Sequence, residues 1–255
     1  MYKHIITSAD EGIFIIKINR PEVRNAVNHD CAHEMARAFE QLDNDTSLRA
    51  AILTGTDEVF STGMDLKAFA STRSRPHVEG RGFGGLAEKP PAKPLIAAVE
   101  GYALAGGFEM VLACDLIVAS SVARFGLPEV KRGLVAGSGG MLRLPRRLPY
   151  HIAMELILTG DQITAERAAE FGLINRLCEP GTALRTSIEL ARRIVENAPL
   201  ALHIAKKIVN EGLDWPQSEM FERQRPLKTF VSSSKDALEG ARAFAEKRKP
   251  VWRGE

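Results

Sequence analysis

The sequence predicts an α/β fold closed by a helical C-terminal region. Two observations carry this: short apolar, β-branched runs alternate with helix-patterned segments as far as Thr182, and beyond that point strand signals stop while helical spacing continues. Gly12 to Ile18, Arg49 to Thr54 and Leu95 to Val99 read as strands. Between the first two, Ala32, Met35, Phe39 and Leu42 fall on one helical stripe, and Asn28 is the N-cap of a helix ending at Asn44. A second alternation follows, with Gly106 and Gly107 opening a helix through Ala113, a strand at Leu116 to Ala119 and a helix at Tyr150 to Leu158. Ser187 to Asn197, Pro199 to Glu211, Gln217 to Phe230 and Lys235 to Lys247 form the helical end. Ser71 to Pro94, with several glycines, four prolines and clustered arginines, reads as a long surface loop flanking a site.

Composition narrows the function classes. A chain of 255 residues, 45% apolar and 26% charged, buries a large core without help from disulfides or metal. Cys31, Cys114 and Cys178 are odd in number and widely spaced, which argues for reduced, mostly buried thiols over a disulfide framework or a zinc site. Its net charge is only +2, with both signs interspersed, so nucleic acid is not the expected partner. The apolar runs are too short to span a membrane and the start has no secretion-signal pattern, so cytoplasmic residence is expected.

Several patterns are weak on inspection. Gly80, Gly82 and Gly85 satisfy G-x-G-x-x-G, yet prolines and no helix follow them. His29 and His33 are spaced to share a metal but lack a third ligand, so a solvated helix face is the better reading. Arg143, Arg146 and Arg147 read as solvated surface before phosphate contacts.

Chemistry concentrates between Gly101 and Gly140. The Gly106 amide, at a helix start with no intrahelical acceptor, suits a developing oxyanion. Glu109 follows on the first turn, and Glu129 follows Pro128 after one intervening strand. Two carboxylates at one cavity suggest paired acid/base work. The plain alternative is that an acid in a first turn answers the helix dipole, and that Pro-Glu is an ordinary helix start.

Six stretches resemble the enoyl-CoA hydratase/isomerase, or crotonase, family: INRPEVRNAV (18–27), FSTGMDLK (60–67), KPLIAAVEGYALAGGFE (93–109), FGLPEVKRGLVAGSGG (125–140), LTGDQITAERAAEFGLIN (158–175) and DALEGARAFAEKRKPVW (236–252). The resemblance implies a spiral of ββα units over residues 1–190, and a helical region at 191–255 that forms homotrimers, commonly paired into hexamers, and closes the site. It implies a CoA-thioester substrate and no separate cofactor or metal. The oxyanion hole would be the amides of Met64 and Gly106, the catalytic acids Glu109 and Glu129, and the water-seating backbone Gly137. CoA contacts would come from Arg24 and Ala26 and from Met64, Asp65, Leu66 and Lys67, with Phe244 and Lys247 reaching a neighbouring subunit's ligand. Ala105 and Ala136 depart from the family's usual glycine and proline. The implied reaction is reversible hydration of a 2-enoyl-CoA. The alternatives are double-bond isomerisation, hydration with cleavage, a carnitinyl-CoA dehydratase-like activity, or acyl-CoA binding without turnover.

Overall fold

A computed structural model describes residues 2–255. In chain order the elements are β1 (Ile5–Asp10), β2 (Ile13–Ile18), α1 (His29–Asn44), β3 (Ala50–Thr54), β4 (Val59–Ser61), α2 (Leu66–Thr72), β5 (His77–Val78), β6 (Gly82–Phe83) and β7 (Leu95–Val99). Then come β8 (Tyr102–Leu104), α3 (Gly106–Ala113), β9 (Leu116–Ser120), β10 (Arg124–Gly126), α4 (Gly140–Arg143), α5 (Tyr150–Thr159), β11 (Gln162–Thr164), α6 (Ala165–Glu170) and β12 (Arg176–Cys178). Four helices end the chain: α7 (Ala183–Val195), α8 (Pro199–Gly212), α9 (Met220–Ser232) and α10 (Lys235–Ala245).

The larger sheet has the order β1-β2-β3-β7-β9-β12, antiparallel at β1-β2 and parallel elsewhere. Its central strands are buried on both faces, which is why AAILT and LIAAV are unbroken apolar runs. Alternation sorts them: Ala51, Leu53, Leu95, Ala97 and Val99 join the main core with α1, while Ile52, Ile96 and Ala98 pack under α7. The smaller sheet, β11-β10-β8-β4, is parallel through β10, β8 and β4.

The expected α1 is present, and Asn28 caps it by accepting from the Cys31 amide at 2.9 Å. α7 starts at Ala183 rather than Ser187, because its cap comes from outside: Glu100 Oε1 accepts from the Ala183 amide at 2.9 Å. α7 crosses residue 190 and lies across the larger sheet.

The reading of Ser71 to Pro94 as a surface loop fits its two mostly exposed ends and is corrected for residues 81–87. Residues 81–87 run inward and are buried, turning through positive φ at Gly82, Gly84 and Gly85. A β-carbon at Gly85 would lie 2.6 Å from Ala36, and one at Gly84 2.6 Å from the Met110 sulfur, so these glycines let the segment press on α1 and α3. Composition resembles a loop because the close approach needs glycine, not because water is near.

Candidate active site

Three neighbouring parallel strands build the site. β4, β8 and β10 lie side by side, with Leu104 in register with Gly126 and Ser61 with Ala103. Met64 follows β4, Gly106 and Glu109 follow β8, and Glu129 follows β10, so all of them emerge at the same carboxyl edge. Open parallel sheets gather ligands at that edge. A β-carbon at Gly63 would lie 2.9 Å from the Gly106 nitrogen, which brings the turn before Met64 against the start of α3. One at Gly107 would lie 2.2 Å from the Ser61 carbonyl oxygen, so glycine lets α3 sit tightly on β4. Ala105, between β8 and α3, takes φ +52° and ψ −130°, a conformation that favours glycine and carries strain of about 1–3 kcal/mol in other residues. The substitution that departs from the family pattern therefore stands at a strained hinge beside the Gly106 amide.

Glu109 is 3% exposed, and its Oε1 accepts from the Ser138 amide at 2.6 Å and the Gly140 amide at 2.9 Å. Burial raises its pKa, and those two amides oppose the shift by favouring the carboxylate. Glu129 lies in a single 3-10 turn, Pro128–Arg132, and its Oε2 is buried with no protein partner among the described residues. Burial, with a smaller contribution from the Glu109 charge, pushes its carboxyl up to about 7. The charge of Glu109 is felt at Glu129, and the two acids sit in different surroundings: one gripped by N–H donors that favour charge, the other held near neutrality.

The other predicted residues divide. Ala26 is buried and Arg24 exposed in a tight turn where Arg24 and Asn25 both have φ +53°. That turn is fixed to β4 by Ser61 Oγ donating to the Asn25 carbonyl and by Asn25 Nδ2 donating to the Val59 carbonyl. Val27 and Met64 form a parallel bridge, with the Val27 amide donating to the Gly63 carbonyl and the Asp65 amide to the Val27 carbonyl, so this turn lies hydrogen-bonded along the segment that carries Met64. Asp65 faces inward: it caps α2 through the Ala68 amide and pairs with buried Arg20 at 3.0 Å. Burial alone would raise its pKa, but the amide and the guanidinium outweigh it and hold it below the usual range. Leu66 and Lys67 are exposed on the first turn of α2. Gly137 is exposed and immediately precedes Ser138. Phe244 is 87% exposed at the end of α10, with Lys247 just beyond it. Their helix is tied to the chain terminus by Asp236, which accepts from the Arg253 and Gly254 amides.

Sequence reasoning misjudged one member of the arginine cluster. Arg143 is half-buried, and its Nη2 donates to the Ala87 carbonyl at 2.7 Å. Among the described residues no group of three His, Cys, Asp or Glu is arranged to hold a metal ion. Among the described residues no helix is long and apolar enough to cross a membrane. A cavity of about 210 Å³ between α8 and α10 is lined by Ala201, Ala241 and Trp252 and has no free acid or base, so it is not a second chemical site.

Comparison with known proteins decides the family: the model for enoyl-CoA hydratase/isomerase matches residues 8–255. The chain belongs to the enoyl-CoA hydratase/isomerase family. It is 55% identical to an enoyl-CoA hydratase of known structure from Mycobacterium tuberculosis H37Rv, with a TM-score of 0.96 and 99% of each chain covered. A carnitinyl-CoA hydratase structure from Mycobacterium avium aligns at 42% identity and TM-score 0.79, again over 99% of each chain. A carnitinyl-CoA dehydratase from Salmonella typhi is 43% identical over 95% of both chains. The fold implied by the sequence motifs is therefore the fold of this enoyl-CoA hydratase/isomerase family member.

Proposed function

We propose that the protein is a hydro-lyase catalysing reversible addition of water to a 2-enoyl-CoA thioester, giving the 3-hydroxyacyl-CoA. The observation carrying this reading is the pair Glu109 and Glu129 beside the Gly106 amide, held in surroundings that separate their proton affinities. The thioester oxygen would accept from the Met64 and Gly106 amides, which stabilise the negative charge that develops when C3 is attacked. Ionised Glu109 takes a proton from water as its oxygen bonds C3. Glu129, protonated near neutral pH, delivers a proton to C2, and exchange with solvent resets both acids. Run backwards, the same steps dehydrate a hydroxyacyl-CoA, so the hydratase and dehydratase names of the relatives describe one reaction. The thioester already acidifies the C2 position, so the chemistry requires no metal or redox group.

The remaining roles belong to the same reading. Gly137 seats the water by its backbone, and Arg24, Ala26, Met64, Asp65, Leu66 and Lys67 border the CoA, with Asp65 acting by shaping the α2 start. Residues 1–190 form the catalytic core, and the helices after it assemble trimers, singly or in pairs, letting Phe244 and Lys247 reach a neighbour's ligand. Three free cysteines, two of them buried, support a cytoplasmic location.

The test is a panel of 2-enoyl-CoA thioesters followed by loss of enoyl absorbance, with products identified by mass. Water addition should fall at least about a hundredfold in Glu109→Gln and in Glu129→Gln. In the wild type, kcat/KM should decline as pH rises through about 7, where Glu129 loses its proton. Variants as active as the wild type would overturn the two-acid mechanism.

A further inference from the structure

We infer that Arg143 is a positioning residue, locking the turn that grips Glu109 to the segment that backs the Gly106 amide. The inference rests on the role just proposed for Glu109. Gly139, with φ +101°, lies between Ser138 and Gly140, the two residues whose amides hold Glu109 Oε1. A β-carbon at Gly139 would fall 2.1 Å from Arg143 Nη1, so the guanidinium lies directly over that glycine. The Arg143 amide donates to the Gly139 carbonyl at 2.8 Å, closing the same turn from the backbone side.

The other arm of the guanidinium reaches elsewhere. Nη2 donates to the carbonyl of Ala87, a residue 2% exposed at the end of the buried 81–87 segment. Within that segment the Phe83 ring packs where a β-carbon on Gly106 would sit, 2.5 Å away, so Phe83 backs the oxyanion amide. One planar fork therefore joins the Glu109 grip to the Gly106 support. Gly140 is as tightly placed: a β-carbon there would lie 3.1 Å from Glu109 Oε1, leaving the turn no slack in that direction.

Arg143 also acts through charge. It makes no ion pair with Glu109 within bonding distance, but its positive charge favours the Glu109 carboxylate, and that carboxylate in turn raises the proton affinity of Glu129. Arg147, one turn on, lies close enough to Arg143 to repel it, and Arg132 faces Glu129. With Arg143 neutralised, Glu109 keeps its two amides and loses its cation.

The experiment compares wild type, Arg143→Gln and Arg143→Lys in two measurements. The first follows the Glu109 carboxyl by NMR of carboxyl-labelled protein across pH, assigned with Glu109→Gln, and needs no substrate. The titration should move to higher pH in Arg143→Gln and return towards wild type in Arg143→Lys. The second is steady-state hydration: kcat should fall on the order of tenfold to a hundredfold in Arg143→Gln, with KM changed by no more than about twofold. Lysine, a point charge without the fork, should leave kcat depressed. Unchanged titration in a folded Arg143→Gln protein, or in Arg143→Met if glutamine prevents folding, overturns the inference. Wild-type protein that hydrates no substrate defeats the Glu109 role, while the titration still decides whether Arg143 governs that carboxyl.

Discussion

At the scale of single residues, Glu129 shows function set against stability. Its carboxyl titrates near 7 in the fold, against 4.5 for an unperturbed glutamate, chiefly because burial disfavours its charge. Between those values the unfolded chain releases a proton that the fold retains, so stability falls as pH rises through that window and levels off above it. Glu129→Gln removes the cost. We expect the variant to be more stable than wild type at pH 8 by about 1 kcal/mol, after discounting for the solvent that still reaches the side chain, with the gain vanishing below pH 4.5. Urea unfolding at the two pH values measures it, and equal stabilities at pH 8 would contradict the burial account. In the sequence the glutamates stood out as acids at helix starts, one two residues after Gly107 and one directly after Pro128, but the helix dipole alone favours such acids, so their proposed pairing came from the family motifs. Arg143 did not stand out: three arginines near a proline look alike, and only the packing of Gly139 and Ala87 distinguishes the one that turns inward.

At the scale of elements, legibility followed length and burial together: β1 is six residues long, but its mostly exposed IITSAD offers no apolar run and was not read. β2, β3, β7 and β9 are five or six residues long and buried, and their apolar runs were readable. β4, β8, β10 and β11, each three residues long, give no periodicity to read, although three of them carry the edge proposed to be catalytic. Helix starts set by distant residues are hidden for a similar reason. Thr182 precedes α7 without a side-chain cap, and Glu100, 6% exposed after β7, supplies the acceptor for the Ala183 amide. Glu100→Ala leaves that amide buried and unpaired, and should destabilise the protein by about 1–2 kcal/mol. Glu100→Gln keeps an acceptor and should cost less. Denaturant midpoints rank the three proteins, and an alanine variant as stable as wild type would mean that α7 is held by its packing under β3 and β7 alone.

At the scale of the molecule, α9 is unexplained by one protomer. None of its thirteen residues is buried, and Pro226 stands inside it, where a missing amide and a ring clash cost about 3 kcal/mol. An isolated helix of that length is marginal in water even with a favourable sequence. Phe221 is 72% exposed and Phe230 57%, and α8 adds Val209 at 66%, with Leu213 just beyond it at 69%. α9 packs on α8 and its Met220, Leu227 and Val231 are partly buried, while Phe221 and Phe230, nine residues apart and so on different sides of the helix, leave apolar surface for another chain to cover. The trimer proposed above would supply that covering surface. Light scattering on the purified protein should then return three or six times the 27.9 kDa chain mass. Phe221→Glu combined with Phe230→Glu should shift the population towards monomer, and the amides of α9 should exchange with solvent far faster while those of β3 and β7 stay protected. A wild-type monomer with a slowly exchanging α9 would show instead that the helix is stable alone, and that its exposed phenylalanines serve no assembly.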